Sequence, residues 1–171
     1  MAQIGVMHIA RSLLVCLSLG LLPVACGPLA GPGPAPEQAQ ALYPNETPAL
    51  RRQIVAAATR NDVPVSLVQR VILRESTHRP EARNGPYYGL MQILPQTARS
   101  MGFRGAPADL LDAETNLTYA VRYLRGAWLV SGGDEAKAVQ WYARGYYYEA
   151  KRLGLLDETG VDGRKDWSAA G

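Results

Sequence analysis

Apolar side chains that recur every three or four residues constrain the fold of this chain most strongly. The longest such stretch opens at Thr115-Asn116 and ends before the glycine pair at 132–133. Its stripe consists of Leu117, Ala120, Val121, Leu124, Ala127 and Trp128. Residues with this spacing share one face of an α-helix, because one turn takes about 3.6 residues. No segment alternates apolar and polar residues convincingly, so the sequence predicts an all-α domain over residues 49–156.

The other helices are predicted from the residues that start and stop them. One begins at Thr47-Pro48, since threonine caps a helix and proline suits its first position. The next follows Asp62-Val63-Pro64 and runs towards Pro80, because a residue that precedes proline resists the α region. Glycine, proline and asparagine predict loop and turn over residues 81–94. Further helices are expected over 95–101, 134–144 and 146–154, and a loose polar tail over 157–171.

Residues 1–26 have the features of a secretory signal peptide. Arg11 is their only formal charge, and an apolar run from Leu13 to Leu22 follows it. This run is too short to span a bilayer as a permanent helix. The segment ends in Pro23-Val24-Ala25-Cys26, which is similar to a bacterial lipoprotein signal, although proline stands where leucine is usual. We expect export with acylation of Cys26; export with signal cleavage alone and a retained membrane helix are the alternatives.

Residues 27–48 are expected to form a tether. Prolines and glycines dominate residues 27–36, and this composition favours an extended, semi-stiff spacer. Both cysteines, Cys16 and Cys26, belong to the signal segment, so the mature chain can form no internal disulfide. Arg11 is one of 18 basic residues, which leaves 17 against 15 acidic ones after processing. This near-neutral charge, without any basic block, argues against nucleic acid as a partner.

Glu75 is the candidate with the clearest chemical role. It follows Val71 by four residues and Ile72 by three, which places it at the buried edge of its helix. It also lies in the last turn, where the helix dipole disfavours a carboxylate. Burial and the dipole both raise a carboxyl pKa, and an acid that stays protonated can donate a proton to a departing sugar oxygen. The alternative is a glutamate that reaches solvent or pairs with Arg79.

A glycine turn, Gly89-Leu90-Met91-Gln92, follows about a dozen residues later. Gly89 permits backbone approach to a ligand. Met91 offers a soft apolar wall for a sugar face, and Gln92 provides a donor and an acceptor for hydroxyl or acetamido groups. Taken singly, Leu90 and Met91 are more typical of core residues.

Together, Glu75-Ser76 and Gly89–Gln92 resemble the first two motifs of the soluble-type (goose-lysozyme-like) lytic transglycosylases. The resemblance covers residues 50–155 and implies a lysozyme-like α domain with Glu75 as the catalytic acid and Ser76 beside it. The family's third motif, Tyr-Asn-Ala-Gly, stands here as Tyr142-Ala143-Arg144-Gly145, without the asparagine. The resemblance places Tyr142 near Glu75, oriented towards it through the hydroxyl group.

Two further stretches also resemble the family. Ahead of the glycine turn, Arg83 and Pro86 replace the family's serine and glycine, which predicts a different loop path. Tyr87 and Tyr88 either stack on sugar rings or pack within this loop. The stretch 112–124 resembles a family signature that is mostly structural.

The resemblance implies a peptidoglycan lytic transglycosylase, a lyase that cleaves the β-1,4 bond between MurNAc and GlcNAc and leaves a 1,6-anhydromuramic product. The residues expected to contact substrate are Ser76, Gly89, Met91, Gln92 and Tyr142. The motifs hold no well-placed second carboxylate, which ordinary glycosidases need, whereas the family's substrate supplies its own nucleophile. A lysozyme-type hydrolase of the same fold and a non-catalytic peptidoglycan-binding lipoprotein are the alternatives.

No cofactor and no metal are expected. The two histidines, His8 and His78, lie in separate regions, and no zinc-ligand spacing or phosphate-binding glycine loop is present. The expected partners are peptidoglycan glycan strands and, through a lipid at Cys26, a membrane. The expected location is therefore the periplasm, as a membrane-anchored lipoprotein.

Overall fold

The computed structural model describes residues 41–168 of the 171-residue chain. Within that range lie seven α-helices, a 3-10 helix over Pro107–Leu111 and a hairpin of two short strands, β1 (Arg83–Asn84) and β2 (Tyr87–Tyr88). The helices are α1 Pro48–Arg60, α2 Val65–Glu75, α3 Pro95–Ser100, α4 Ala113–Val130, α5 Glu135–Arg144, α6 Tyr147–Leu153 and α7 Leu156–Thr159. This architecture confirms the predicted all-α class.

The central element of the domain is α4. The helices α1, α3, α5, α6 and α7 and the 3-10 helix all pack against it. Its predicted apolar stripe is buried, apart from Trp128, which is partly buried against the same core. Burial of such side chains is the main favourable contribution to folding. Gly126 lets the chain entering α6 come close, since a Cβ there would lie 2.2 Å from the Tyr146 hydroxyl oxygen.

The second helix, α2, ends at Glu75, earlier than the predicted stop at Pro80. Thr77 and His78 adopt left-handed conformations, with φ of 52° and 59°. An α-helix of L-residues does not continue through such conformations. The Thr77 N–H donates back to the Ile72 carbonyl at 3.0 Å and closes the turn. Glu75 therefore occupies the last helical position, and the chain turns away directly after it.

The hairpin and the 3-10 helix are not predicted from the sequence. The hairpin lies in the segment expected to be loop, with Gly85 at its turn in a left-handed conformation (φ 58°). Strands of two residues are too short to show alternation, and a 3-10 segment of five residues is too short to show a period. The fourth helix begins at Ala113, ahead of the predicted Thr115, because the Asp112 carboxylate caps it by accepting from the Thr115 N–H at 2.8 Å.

Both ends of the described chain pack on the helical domain. Glu46, within the segment predicted as tether, is buried and accepts a hydrogen bond from Arg51 of α1 at 2.6 Å. Trp167, within the tail predicted to be loose, packs against the core and donates its indole N–H to the Ser100 carbonyl at 3.1 Å. Glu46 also accepts a hydrogen bond from Gln69, 23 residues away, and Trp167 meets Ser100 across 67 residues, so local composition does not reveal these contacts.

The signal segment 1–26, with Cys26, and the tether residues 27–40 lie outside the described residues. Within residues 41–168, none of the helices combines the length and apolar character needed to cross a bilayer. That part of the chain also holds no group of three or more His, Cys, Asp and Glu side chains suited to a metal ion.

Candidate active site

Glu75 lies where two lobes of a cleft meet. The larger lobe has a volume of about 990 Å³ and the smaller about 660 Å³. Glu75, Asn84 and Gln92 line both lobes. Pockets that bind small ligands have volumes of about 300–1,000 Å³, so each lobe is large enough for a sugar. The Glu75 side chain is 23% exposed, which leaves its carboxyl group accessible to a ligand but shielded from most of the solvent.

The surroundings of Glu75 favour its protonated form. Burial raises the pKa of Glu75 above its usual value, and the nearby Arg74 guanidinium partly opposes this effect. The Arg74 Nε lies 3.6 Å from the Glu75 Oε1. Arg79, the partner considered from sequence, instead donates through Nε to the Ser76 carbonyl at 2.9 Å. The direction of the pKa shift is the one predicted from the helical position, and such a carboxyl group suits general acid–base chemistry.

Side chains at the end of α2 and in the helices α4 and α5 hold the turn Gly89–Gln92 in place. The Ser76 hydroxyl, which follows α2, donates to the Leu90 carbonyl at 2.7 Å. The Tyr142 hydroxyl of α5 donates to the Met91 carbonyl at 2.9 Å. Asn116 of α4 accepts from the Met91 N–H at 3.0 Å. These bonds fix the turn relative to Glu75.

Gly89 is required by internal packing. Its φ is +74°, and a Cβ there would lie 2.2 Å from Asn116 Nδ2 and 2.3 Å from the Leu110 carbonyl oxygen. The same Asn116 amide donates to the Tyr88 and Leu110 carbonyls at 2.8 and 2.9 Å. The close approach that Gly89 permits is therefore to Asn116, whereas the sequence predicts an approach to a ligand.

Gln92 presents a fixed amide between the lobes. Its Nε2 donates to the Ala82 carbonyl at 3.0 Å and to the Gly89 carbonyl at 2.8 Å. An amide nitrogen has two hydrogens, and both are engaged by these bonds. The Oε1 atom is therefore the group left for a ligand, as an acceptor, where the sequence predicts a donor and an acceptor.

Three of the predicted substrate-binding residues, Ser76, Gly89 and Met91, lie beneath the cleft surface. Ser76 is 3% exposed and Met91 is fully buried. Neither lines either lobe. The Met91 side chain belongs to the hydrophobic core. Both residues act on the site through the backbone of the turn, which they support.

Tyr142 lines the smaller lobe together with Glu75. Its hydroxyl proton goes to the Met91 carbonyl, so the expected hydrogen bond to Glu75 is replaced by one to the turn. Burial, and next the charge of Glu75, raise the pKa of Tyr142 well above its usual value. Tyr123 packs edge-on against it, with ring centroids 5.3 Å apart, and burial raises the pKa of Tyr123 to about 12. Both phenols stay neutral at physiological pH.

The hairpin separates the two neighbouring tyrosines. Tyr87 lines the smaller lobe and is exposed. Tyr88 packs against the core, and the Arg83 guanidinium lies 4.8 Å from the centroid of its ring. Successive residues of a strand point to opposite faces, which explains why one tyrosine reaches the cleft and the other does not.

Two further carboxylates, Glu81 and Asp112, line the larger lobe. Asp112 is engaged as the cap of α4, and hydrogen bonds from Thr115 hold its pKa below the usual value. Glu81 is exposed, as predicted from the sequence. It makes no hydrogen bond or ion pair with the residues between 41 and 168, so its carboxylate is open to the lobe.

The residues that line the cleft but are not predicted as site residues from the sequence include Asn45, Arg74, Asn84 and Tyr123. The sequence offers a signal for Arg74, because it directly precedes the candidate acid Glu75. The sequence offers no signal for Asn45, because this residue belongs to the predicted tether. In the structure its Nδ2 donates to the Thr77 carbonyl at 2.9 Å.

The cleft thus brings together Glu75, Gln92 and Tyr142, and the other predicted residues support it from below. The family model of the Transglycosylase SLT domain matches residues 52–154, which is more than half of the chain. The match contains the end of α2, the glycine turn and Tyr142. The chain therefore belongs to the Transglycosylase SLT domain family, the lytic transglycosylases that bind and cleave peptidoglycan glycan strands.

Proposed function

We propose that the protein cleaves the β-1,4 bond between MurNAc and GlcNAc and leaves a 1,6-anhydromuramic end, with Glu75 as acid and then base. The observation that carries this proposal is the half-buried Glu75 at the junction of the two lobes. A glycan strand that occupies both lobes brings a glycosidic oxygen to the carboxyl group, with one sugar on each side of the bond.

In the first step the protonated Glu75 donates its proton to the glycosidic oxygen. The bond between that oxygen and C1 of the muramic sugar breaks, and the N-acetyl carbonyl oxygen of the same sugar stabilises C1. In the second step the Glu75 carboxylate takes the proton of the 6-hydroxyl group, whose oxygen attacks C1 and closes the anhydro ring. Glu75 regains its proton and no water is consumed. General acid–base help of this kind contributes about 10²–10⁴ in rate.

The neighbouring residues have distinct roles in this proposal. The Gln92 Oε1, left free by the two bonds of its amide nitrogen, accepts a hydrogen bond from a hydroxyl or acetamido group of the strand. Ser76 and Tyr142 are positioning residues, because they hold the carbonyls of Leu90 and Met91 and so the turn that carries Gln92. Gly89 serves the same turn through its contact with Asn116.

The decisive experiment is digestion of purified sacculi by the protein and by Glu75→Gln, with mass spectrometry of the soluble products. We expect anhydromuropeptides from the wild type and a loss of at least about 100-fold with Glu75→Gln. Glu114→Gln, on α4 outside both lobes, is the control and keeps the wild-type rate. Sacculi that bind the protein but release no product would indicate a binding lipoprotein instead.

A lysozyme-type hydrolase is the second candidate, favoured by one observation: Glu81 lines the same lobe as Glu75. A second carboxylate at a suitable distance could activate water. Glu81→Gln separates the two mechanisms. Under the transglycosylase proposal this variant still releases anhydro products, whereas reducing-end products that disappear with Glu81→Gln would establish hydrolysis.

We also propose that the chain is exported and anchored in a membrane by acylated Cys26, which would keep the enzyme in the periplasm near its substrate. The apolar run from Leu13 to Leu22 and the cysteine that follows it support this location. Cys26→Ala should move the protein from the membrane to the soluble fraction and abolish labelling with a fatty-acid analogue. Labelling that persists in this variant would contradict the proposal.

A further inference from the structure

The smaller lobe of the cleft carries an excess of positive charge. Its charged lining residues are Arg74, Arg144 and Glu75. In the larger lobe, by contrast, the carboxylates Glu81 and Asp112 offset the arginines that share its lining. When Glu75 is protonated, as burial favours, only the two guanidinium groups of the smaller lobe remain charged.

Arg144 is held in place without its charge being neutralised. It is the last residue of α5, and its Cζ lies 3.7 Å from the centroid of the Trp141 ring. A guanidinium stacked on an aromatic face keeps its N–H edges available to other partners. No hydrogen bond or ion pair engages it within residues 41–168. The charge of Arg144 contributes to lowering the pKa of Glu149. Both carboxylate oxygens of Glu149, however, accept hydrogen bonds from Arg152, at 2.8 and 2.6 Å.

Arg74, which lines the same lobe, is only loosely engaged. Its side chain is 53% exposed, and its contact with Glu75 is a long one at 3.6 Å. A carboxylate in the lobe could therefore attract Arg74 without breaking a strong bond. It would also offset the positive charge that opposes protonation of Glu75, so an anionic substrate would assist the acid.

Peptidoglycan offers one kind of anion to such a lobe. The hydroxyl and acetamido groups of the glycan are neutral, and the lactyl carboxyl group of the muramic sugar is neutralised by its amide bond to the peptide, whereas the peptide itself carries carboxylates. Arginine binds carboxylates with two parallel N–H bonds, which gives both strength and orientation. The chemistry of the lobe therefore fits the peptide and not the sugar backbone.

We propose that Arg144, stacked on Trp141 and facing the same lobe as Arg74, binds a carboxylate of the stem peptide, so that the protein prefers glycan strands that still carry their peptides. This inference rests on the proposed function, since it assumes that a peptidoglycan strand enters the cleft. It assigns a specificity role to the position where the family's third motif departs in this chain.

The test measures binding of soluble glycan strands to the full chain with Glu75→Gln, so that cleavage does not interfere. Three probes are compared: strands with stem peptides, strands with the peptide carboxylates amidated, and strands without peptides whose exposed lactyl carboxylates are also amidated. We expect the first probe to bind about two- to fivefold more tightly than the other two, as for a partly exposed ion pair, and the difference to shrink in high salt.

Adding Arg144→Gln should bring the ratio of dissociation constants close to one. Arg144→Lys keeps the charge but loses the two parallel N–H bonds and the stacking on Trp141, so it should keep only part of the ratio. Arg52→Gln, on α1 outside both lobes, is the matched control and keeps the wild-type ratio. Thermal melting shows whether each variant is folded.

Equal binding of amidated and unmodified strands would overturn the proposal, and so would a preference that survives Arg144→Gln. Because binding is measured without cleavage, this result is independent of the product analysis. A chain that releases no anhydro product but shows the Arg144-dependent preference would overturn the proposed reaction and leave the peptide subsite standing.

Discussion

Arg74 is the charged neighbour that opposes the effect of burial on Glu75, and its removal tests the proposed acid. Burial raises the pKa of Glu75 and the guanidinium lowers it. Arg74→Gln removes only the lowering effect, so the pKa should rise further. A general acid works in its protonated form, and the alkaline limb of the pH–rate profile reports its pKa. We expect this limb to move to higher pH in Arg74→Gln.

The profile is best measured on glycan strands without peptides and with their lactyl carboxylates amidated, because substrate carboxylates would also respond to Arg74. Arg52→Gln removes an arginine outside both lobes and should leave the profile unchanged. An alkaline limb that moves to lower pH in Arg74→Gln would mean that another group, and not Glu75, is the acid.

At this scale, the position of a residue on its helix predicts burial but not contacts. The spacing of Glu75 from Val71 and Ile72 is enough to predict a half-buried carboxyl with a raised pKa, and the structure confirms that direction. The buried position of Ser76 could not be foreseen, because its hydroxyl partner is a carbonyl 14 residues away.

The turn Gly89–Gln92 is the element on which the cleft depends, and it tolerates no side chain at Gly89. A Cβ there meets Asn116 and the Leu110 carbonyl in a backbone conformation that L-residues rarely adopt. We expect Gly89→Ala to lower the free energy of unfolding by about 3 kcal/mol or more, from overpacking added to left-handed strain. Urea denaturation measures this difference.

Gly85→Ala is the matched control, since Gly85 has φ of +58° and no atom within 4 Å of a Cβ. It should lower the free energy of unfolding by only about 1 kcal/mol, the strain contribution alone. Equal effects of the two substitutions would show that the contact with Asn116 does not constrain the turn.

The helices α1 to α6 are predictable here, whereas α7, the hairpin and the 3-10 helix are not. The stripe of α4 repeats often enough to define a face, whereas the hairpin and the 3-10 helix are too short to show any period. The predicted end of α2 lies beyond the observed one, because Pro80 is a helix stop that can be read from the sequence. The left-handed conformations of Thr77 and His78, which end the helix earlier, have no such signal.

At the scale of the whole molecule, a buried polar network ties the segment before α1 to α2. Glu46 accepts hydrogen bonds from Arg51 of α1 at 2.6 Å and from Gln69 of α2 at 2.8 Å. The Gln69 Oε1 in turn lies 2.6 Å from His78 Nε2. Burial alone would raise the pKa of Glu46, but the hydrogen bonds from Arg51, the Tyr43 N–H and Gln69 outweigh it and lower the pKa to about 2.

A carboxyl group with a lowered pKa stabilises the fold above its unfolded pKa, and this contribution is lost as the pH falls. For Glu46 the window runs from about pH 4.5 down to about pH 2. Glu46→Gln should therefore lower the free energy of unfolding by about 3 kcal/mol at pH 7, since it removes the buried carboxylate that accepts from Arg51, the Tyr43 N–H and Gln69. The difference from the wild type should shrink as the pH falls towards 2.

Glu149→Gln breaks an exposed ion pair with Arg152 and serves as the control, with little expected change at any pH. Denaturation curves at several pH values measure both variants. A Glu46→Gln difference that is the same at pH 7 and pH 2.5 would show that the network does not depend on the Glu46 charge.

The sequence alone determines those properties of this protein that depend on neighbouring residues. The period of the apolar side chains sets the all-α class, the spacing from Ile72 sets the burial of Glu75, and the motifs indicate the family. Tertiary structure decides which side chains reach the cleft, because hydrogen bonds and packing join residues far apart in the chain. Tyr142 meets its carbonyl partner across 51 residues. Only the folded chain could show that Ser76 lies beneath the cleft and that Arg144 lines it.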